Sequence, residues 1–143
     1  MSAVDPMGLD QQLCFALYAA THAITRSYTP GLKSIGLTYP QYLVMVVLWQ
    51  EDALTLKALA ERLDLDSPTL TPLLKRLEAV GYLHRRRSEA DERQVLIYLS
   101  DTGQALRQQA VSMRQQLQCR FAELLPQAEG LRDALQQLLR LLR

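Results

Sequence analysis

Between Thr55 and Leu99 the hydrophobic pattern switches from helical spacing to strand alternation, and that switch constrains the fold more than any other feature. Thr55 opens a short helix to Leu63, and Asp64 to Asp66 form a tight connection. Ser67 and Pro68 open a further helix whose Leu70, Leu73, Leu74, Leu77 and Val80 make a core face before Gly81 stops it. Tyr82 to Arg87, a polar turn over Ser88 to Arg93, and Gln94 to Leu99 then read as a two-stranded hairpin. Helix, turn, helix and hairpin in that order predict a winged helix-turn-helix, mainly α with a small β-hairpin wing. The second helix would lie in the DNA major groove, with Ser67 in its first turn and Thr69, Thr71, Pro72, Lys75 and Arg76 on its outward positions. Pro72 conflicts with this, because a proline in a helix interior costs about 3 kcal/mol. Either the helix begins near Thr71 or it is distorted there.

Charge supports a nucleic-acid contact once it is divided by region. The chain of 143 residues carries a formal net charge of only +1. Residues 1–66 hold four basic and seven acidic groups, however, and residues 67–100 hold six against four. Lys75, Arg76, Arg85, Arg86 and Arg87 stand against the single acid Glu78, with Arg93 further along the hairpin. A length of 143 residues predicts one domain, and a composition 48% hydrophobic and 22% charged is that of a globular chain. Two cysteines cannot build a disulfide framework, so a reducing, cytoplasmic setting is expected. The longest apolar run, Leu43 to Trp49, is too short to span a bilayer, and the acidic start lacks a signal peptide's basic region, which predicts a soluble chain with no membrane partner. His22 and His84 have no ligand spacing with the cysteines, so neither a metal nor another cofactor is expected.

The flanking segments exceed what a winged motif needs. A first helix is predicted from about Asp10 to Tyr28, with Leu9, Leu13, Leu17, Ala20 and Ile24 on one face and Pro30 with Gly31 as its stop. Thr38, Pro40 and Gln41 form a start signal for a second helix. Ser100 caps a long helix from Asp101 to about Leu125, broken by Pro126, and a last helix runs roughly from Leu131 to Leu142. Leu131, Leu135, Leu138 and Leu142 of that helix make a seam, widened by Leu139 and Leu141, that a small monomer cannot cover. The expected organisation is one domain over 1–143, with 38–100 reading DNA and 10–35 and 101–143 serving a two-fold homodimer.

Beside its aliphatic face, the first helix carries a second stripe: Cys14, Tyr18, Thr21, Thr25 and Tyr28, all within about 40° of one line. Cys14 and Tyr28 lie about 21 Å apart along one helix axis, so they cannot touch within a chain. Two copies crossing antiparallel near Thr21 would bring Cys14 of each to Tyr28 of the other. Such a site would serve thiol oxidation, with the helix dipole and tyrosine hydroxyls as the visible activators. Inert burial of Cys14, and a packed or exposed spectator role for Cys119, are the alternatives.

Leu83 to Gly103, with Asp91-x-Arg93 at the wing tip and Leu99-Ser100-x-x-Gly103 after it, resembles the MarR family of dimeric winged-helix repressors. LCFALY at 13–18, LTYPQYLVMVVLW at 37–49 and LTPLLKRLE at 70–78 are similar, more narrowly, to its organic-hydroperoxide-sensing branch, the OhrR type. The resemblance covers nearly the whole chain. It implies that Cys14 is the peroxide-sensing thiol, that Tyr28 and Tyr39 hydrogen-bond its sulfur across the dimer with Tyr18 nearby, and that Cys119 is the resolving thiol of the partner subunit. It implies too that Arg93, supported by Asp91, enters the minor groove.

The mechanism expected from that resemblance is oxidation of Cys14 to sulfenic acid by an organic hydroperoxide, disulfide formation with Cys119, and release of a palindromic operator. The apolar neighbours Leu13, Phe15, Leu17 and Trp49 would favour an organic peroxide. Two alternatives stand: a MarR-type repressor controlled by a small aromatic ligand, and a thiol peroxidase. Against the second, no Arg or His lies beside Cys14, and an enzyme has no need of a basic wing.

Overall fold

Helix ends leave backbone groups open, and side chains satisfy them at the starts of four of the six α-helices among residues 3–143. The computed structural model describes residues 3–143. After a 3-10 turn at Leu9–Gln11, the elements are α1 Leu13–Ser34, α2 Tyr39–Gln50, β1 Leu54–Thr55, α3 Leu56–Leu63, α4 Ser67–Val80, β2 Leu83–Arg87, β3 Val95–Leu99, α5 Asp101–Leu124 and α6 Ala128–Leu142. Thr38 Oγ1 accepts the Gln41 N–H at 3.4 Å while Gln41 Oε1 accepts the Thr38 N–H at 3.0 Å, a reciprocal cap that starts α2. Thr55 Oγ1 accepts from the Ala58 N–H at 3.1 Å, and Ser100 Oγ from the Gly103 N–H at 3.0 Å. Gly81, at φ 93°, ends α4 with its own N–H on the Glu78 carbonyl and the Tyr82 N–H on the Leu77 carbonyl.

The first helix is longer than Pro30 and Gly31 suggest. It passes through both and stops at Gly36, whose φ of 70° lets Leu37 N–H reach the Leu32 carbonyl. Beyond Pro30 the chain buries Leu32, Ile35 and Leu37. Each is worth about 1.5–3 kcal/mol of burial, which offsets the roughly 3 kcal/mol of an interior proline. The expected aliphatic face is not buried: Leu9, in the 3-10 turn before α1, and Leu13, Ala20 and Ile24 on α1 are exposed, and Leu17 is half-buried.

The helix α4 settles the conflict at Pro72. It begins at Ser67, capped by Asp66 Oδ1 accepting the Thr69 N–H at 2.7 Å, and continues through Pro72. The missing backbone bond is the one to the Pro68 carbonyl. Leu70, Leu74 and Leu77 are buried, whereas Val80 is exposed, correcting its placement on the core face. The buried row steps by four and three, so its next position falls on Gly81 and leaves Val80 to one side.

The wing is a three-stranded antiparallel sheet in the order β1-β3-β2 rather than a bare hairpin. Leu54 pairs with Ile97, and Ile97 pairs on its other side with Arg85. Asp52 Oδ1 extends the pairing by accepting the Leu99 N–H at 2.9 Å. The chain divides into two compact units, residues 1–105 and 106–143. In the first, Leu32, Val44, Met45, Leu48, Leu59, Leu70, Leu74, Leu77, Leu83 and Ile97 are all buried and form the core. In the second, Leu106, Ala110 and Met113 are buried at helical spacing, while α6 buries none of its residues. Among the described residues no helix is long and apolar enough to cross a membrane, and no cluster of His, Cys, Asp or Glu fits a metal ion.

Candidate functional site: a basic reading head and a cysteine-tyrosine helix

The N-terminal turns of α4 present small polar groups and the next turn presents cations. Ser67, Thr69, Pro72, Lys75 and Arg76 are exposed. Thr71 is half-buried and donates its hydroxyl to the Ser67 carbonyl at 2.8 Å, so it is less outward than the sequence suggests. Hydrogen bonds from Thr69, side chain first and then backbone, hold the Asp66 carboxyl below its ordinary range.

A clamp joins α4 to the wing. Glu78 Oε2 accepts the Arg85 backbone N–H at 2.8 Å, and its Oε1 accepts Arg85 Nη2 at 3.1 Å and Nε at 3.3 Å. The backbone bond first, then the guanidinium bonds, lower the Glu78 carboxyl below its ordinary value of 4.5. A carboxyl depressed in the folded state stabilises fully above its unfolded value, and the gain disappears as pH falls through the folded-state pKa. The melting-temperature gap between the natural protein and Glu78→Gln should therefore be present at neutral pH and shrink as pH falls below the ordinary carboxyl value of 4.5. A gap that stays constant over that range contradicts the clamp.

At the wing tip the Asp91 carbonyl accepts the Gln94 N–H, and Asp91 Oδ1 accepts the Arg93 N–H at 3.0 Å. The Arg93 side chain is 94% exposed, with its Nε 3.6 Å from the same carboxylate. Asp91 thus shapes the turn that projects Arg93. Arg87 is bound to the Glu92 carbonyl at 2.9 Å, at the base of that turn.

Cys14 is exposed in the first turn of α1, behind Gln12, which offers no side-chain cap. Tyr18, one turn on, is exposed and packs edge-on against His22 with ring centroids 4.4 Å apart. Tyr28 and Tyr39 meet edge to face at 5.0 Å, and Tyr42 joins both at 5.9 and 6.2 Å. Burial, then the nearby Tyr28, raises the Tyr39 hydroxyl above its ordinary value of 10.0, so Tyr39 stays a hydrogen-bond donor at neutral pH. One chain therefore assembles the tyrosines without the thiol, which stands about four helical turns away on α1. Sequence reasoning misses Tyr42, although its position three residues after Tyr39 on α2 is a usable signal. A cavity of about 240 Å³ opens beside Tyr39, between Thr25, Thr29, Leu32, Lys33 and Leu37. Of the apolar neighbours expected around the thiol, Leu13 and Phe15 are exposed, and Trp49 donates its indole N–H to the Gly103 carbonyl at 2.9 Å. Cys119 is exposed on the C-terminal half of α5.

The family profile described as transcriptional regulator SarA/Rot matches residues 26–110, which span the end of α1, the helix-turn-helix, the wing and the start of α5. The chain belongs to this SarA/Rot and MarR-type winged-helix regulator family. The HTH-type transcriptional regulator TtmR of Methylorubrum extorquens (strain PA1) is 58% identical over 103 residues, 72% of this chain, and the chain spans about half, 53%, of that relative's length. The organic hydroperoxide resistance transcriptional regulator of Bacillus subtilis (strain 168) is 50% identical over 109 residues, 76% of this chain and 74% of that protein. Among solved structures, overoxidized AbfR bound to DNA superposes with a TM-score of 0.77 at 38% identity, covering 94% of this chain and 95% of AbfR. Disulfide-formed AbfR superposes with a TM-score of 0.67 at 39% identity, covering 92% of each chain.

Proposed function

We propose that this winged-helix regulator binds a palindromic operator as a reduced homodimer and lets it go when an organic hydroperoxide oxidises Cys14. Ser67, Thr69 and Pro72 face base edges, with the half-buried Thr71 bracing the Ser67 turn, Lys75, Arg76 and Arg86 face phosphates, and Arg93 enters the minor groove with Asp91 holding its loop. The second copy covers the exposed apolar residues of α1 and α6, among them Leu13, Phe15, Leu131 and Leu139. Crossing of two α1 helices brings Cys14 of one copy to Tyr28 and Tyr39 of the other, with Tyr18 nearby, and their hydroxyls donate to its sulfur.

In the first step the Cys14 thiol gives up its proton, the thiolate attacks the terminal peroxide oxygen, the O–O bond breaks, and the alkoxide takes up that proton and leaves as the alcohol, giving Cys14 sulfenic acid. The Cys119 thiol of the other subunit then attacks the sulfenic sulfur, forming the disulfide and releasing water. The bridge requires Cα atoms within about 7 Å, so making it moves helices and respaces the recognition helices. The observation that carries this reading is an exposed thiol in the first turn of α1, on one helical line with Tyr28, whose ring meets that of Tyr39 on α2. The relative named for organic hydroperoxide resistance and the disulfide-formed AbfR support it. The cavity beside Tyr39 favours a second reading, control by a small aromatic ligand, in which release needs no oxidant.

Two outcomes test the assignments. Arg93→Ala should weaken DNA binding and lower the log–log salt slope by about 0.9 for each phosphate no longer neutralised. An unchanged slope removes Arg93 from the DNA interface. Cys119→Ser should still release DNA on peroxide treatment while running as a monomer on a non-reducing gel. A crosslinked dimer from that variant contradicts the role of Cys119.

A further inference from the structure

Four arginines of the wing differ in how their charge is spent. Arg85 is held by Glu78, Arg87 by the Glu92 carbonyl, and Arg93 lies beside Asp91. Among the described residues the Arg86 guanidinium has neither an ion pair nor a hydrogen bond, and it sits over the ring of Tyr98, 5.8 Å from carbon to centroid. That ring is itself pinned. His84 stacks on it almost parallel, at 13° and 5.4 Å between centroids, because His84 and Tyr98 are directly opposite in the register of β2 and β3. Arg86 follows His84 by two residues on β2, which puts it on the same outer face of the sheet. Leu83, Ile97 and Leu99 are buried on the inner face.

An aromatic face holds a guanidinium without neutralising it, whereas a carboxylate does both. The planar donors stay available for an anion, and the long side chain loses less freedom on meeting one because the ring already restricts it. We infer that Tyr98, backed by His84, is a positioning residue that holds Arg86 ready for a backbone phosphate flanking the wing. The inference rests on the DNA-binding reading above and adds residues that reading does not use. The outer face of the wing becomes a second, sequence-independent contact beside the tip.

A double-mutant cycle read on the salt dependence of DNA affinity tests this, using the full-length reduced protein and a duplex that the natural protein binds. Arg86→Ala should lower the log–log slope by about 0.9. Tyr98→Leu should weaken binding and lower the slope in the same direction, Tyr98→Phe should leave both unchanged, and the Arg86→Ala, Tyr98→Leu double variant should bind no more weakly than Arg86→Ala alone. Circular-dichroism melts of each variant separate a folding defect from a weakened DNA interface, and the conservative phenylalanine keeps the ring in place should leucine unfold the wing. Additive effects, or an Arg86→Ala slope equal to the natural one, overturn the inference. Failure of the natural protein to bind duplex DNA with any salt dependence overturns the DNA-binding reading instead.

Discussion

Cys14→Ser should bind DNA as tightly as the natural protein and stay bound when an alkyl hydroperoxide is added. Serine preserves the size and helix position of the residue while removing the sulfur nucleophile, so the reduced state keeps its packing. The natural protein should release with about one equivalent of oxidant per subunit, because each sulfenic acid consumes one peroxide. The variant should need a large excess or fail entirely. The comparison reaches beyond the thiol, since release of Cys14→Ser by a peroxide-free aromatic compound would favour ligand control through the cavity beside Tyr39.

Gly103→Ala should be more damaging than alanine at Gly130. Gly103 lies in the first turn of α5, where alanine ordinarily gains about 1 kcal/mol over glycine. Here the added Cβ would meet the Tyr82 backbone, overlapping its carbonyl oxygen and standing 2.9 Å from its carbonyl carbon. That carbonyl cannot move freely, because it accepts the Ser100 N–H at 3.0 Å. Overpacking costs roughly 1–3 kcal/mol when side chains can adjust, and backbone cannot, so a destabilisation of about 3 kcal/mol or more is expected. The melting temperature should fall by roughly 10 °C. Gly130→Ala on α6, whose Cβ would meet nothing within 4 Å, should instead leave stability unchanged or raise it by up to about 1 kcal/mol. Equal effects at the two positions contradict the close approach.

The parts of the fold legible in the sequence are those set by local chemistry. Thr38 with Gln41, Thr55, Gly81 and Ser100 each satisfy open backbone groups within a few residues, so their sequence signals and their structural roles coincide. What the sequence hides depends on distant contacts. Pro30 looks like a stop because its cost is local, while the burial of Leu32 and Ile35 that outweighs it is tertiary. The strand β1 is two residues long and exists through its pairing with β3, so no periodicity announces it. Pro72 is ambiguous for the same reason as Pro30, and Val80 joins the core face only if the last step from Leu77 is three residues, whereas the buried row steps by four to Gly81.

The candidate site divides along the same line. The arginines, the Asp91 turn and the tyrosine stripe are visible as residue types at fixed spacing. The sorting of the wing arginines by partner, and the joining of Tyr42 to Tyr28 and Tyr39, require the sheet register and the packing of α1 on α2. The link from the thiol to the tyrosines needs a second copy of the chain, and no pattern within one sequence supplies its geometry.

The central claim is that oxidation of Cys14 is the event that frees DNA. Its most direct measurement follows a labelled duplex bound to the reduced natural protein by fluorescence anisotropy during stoichiometric addition of an alkyl hydroperoxide, with samples quenched and mapped by mass spectrometry. The bound fraction and the Cys14 free-thiol fraction should fall together. Release while Cys14 remains a free thiol, or complete Cys14 oxidation with the duplex still bound, would contradict the claim.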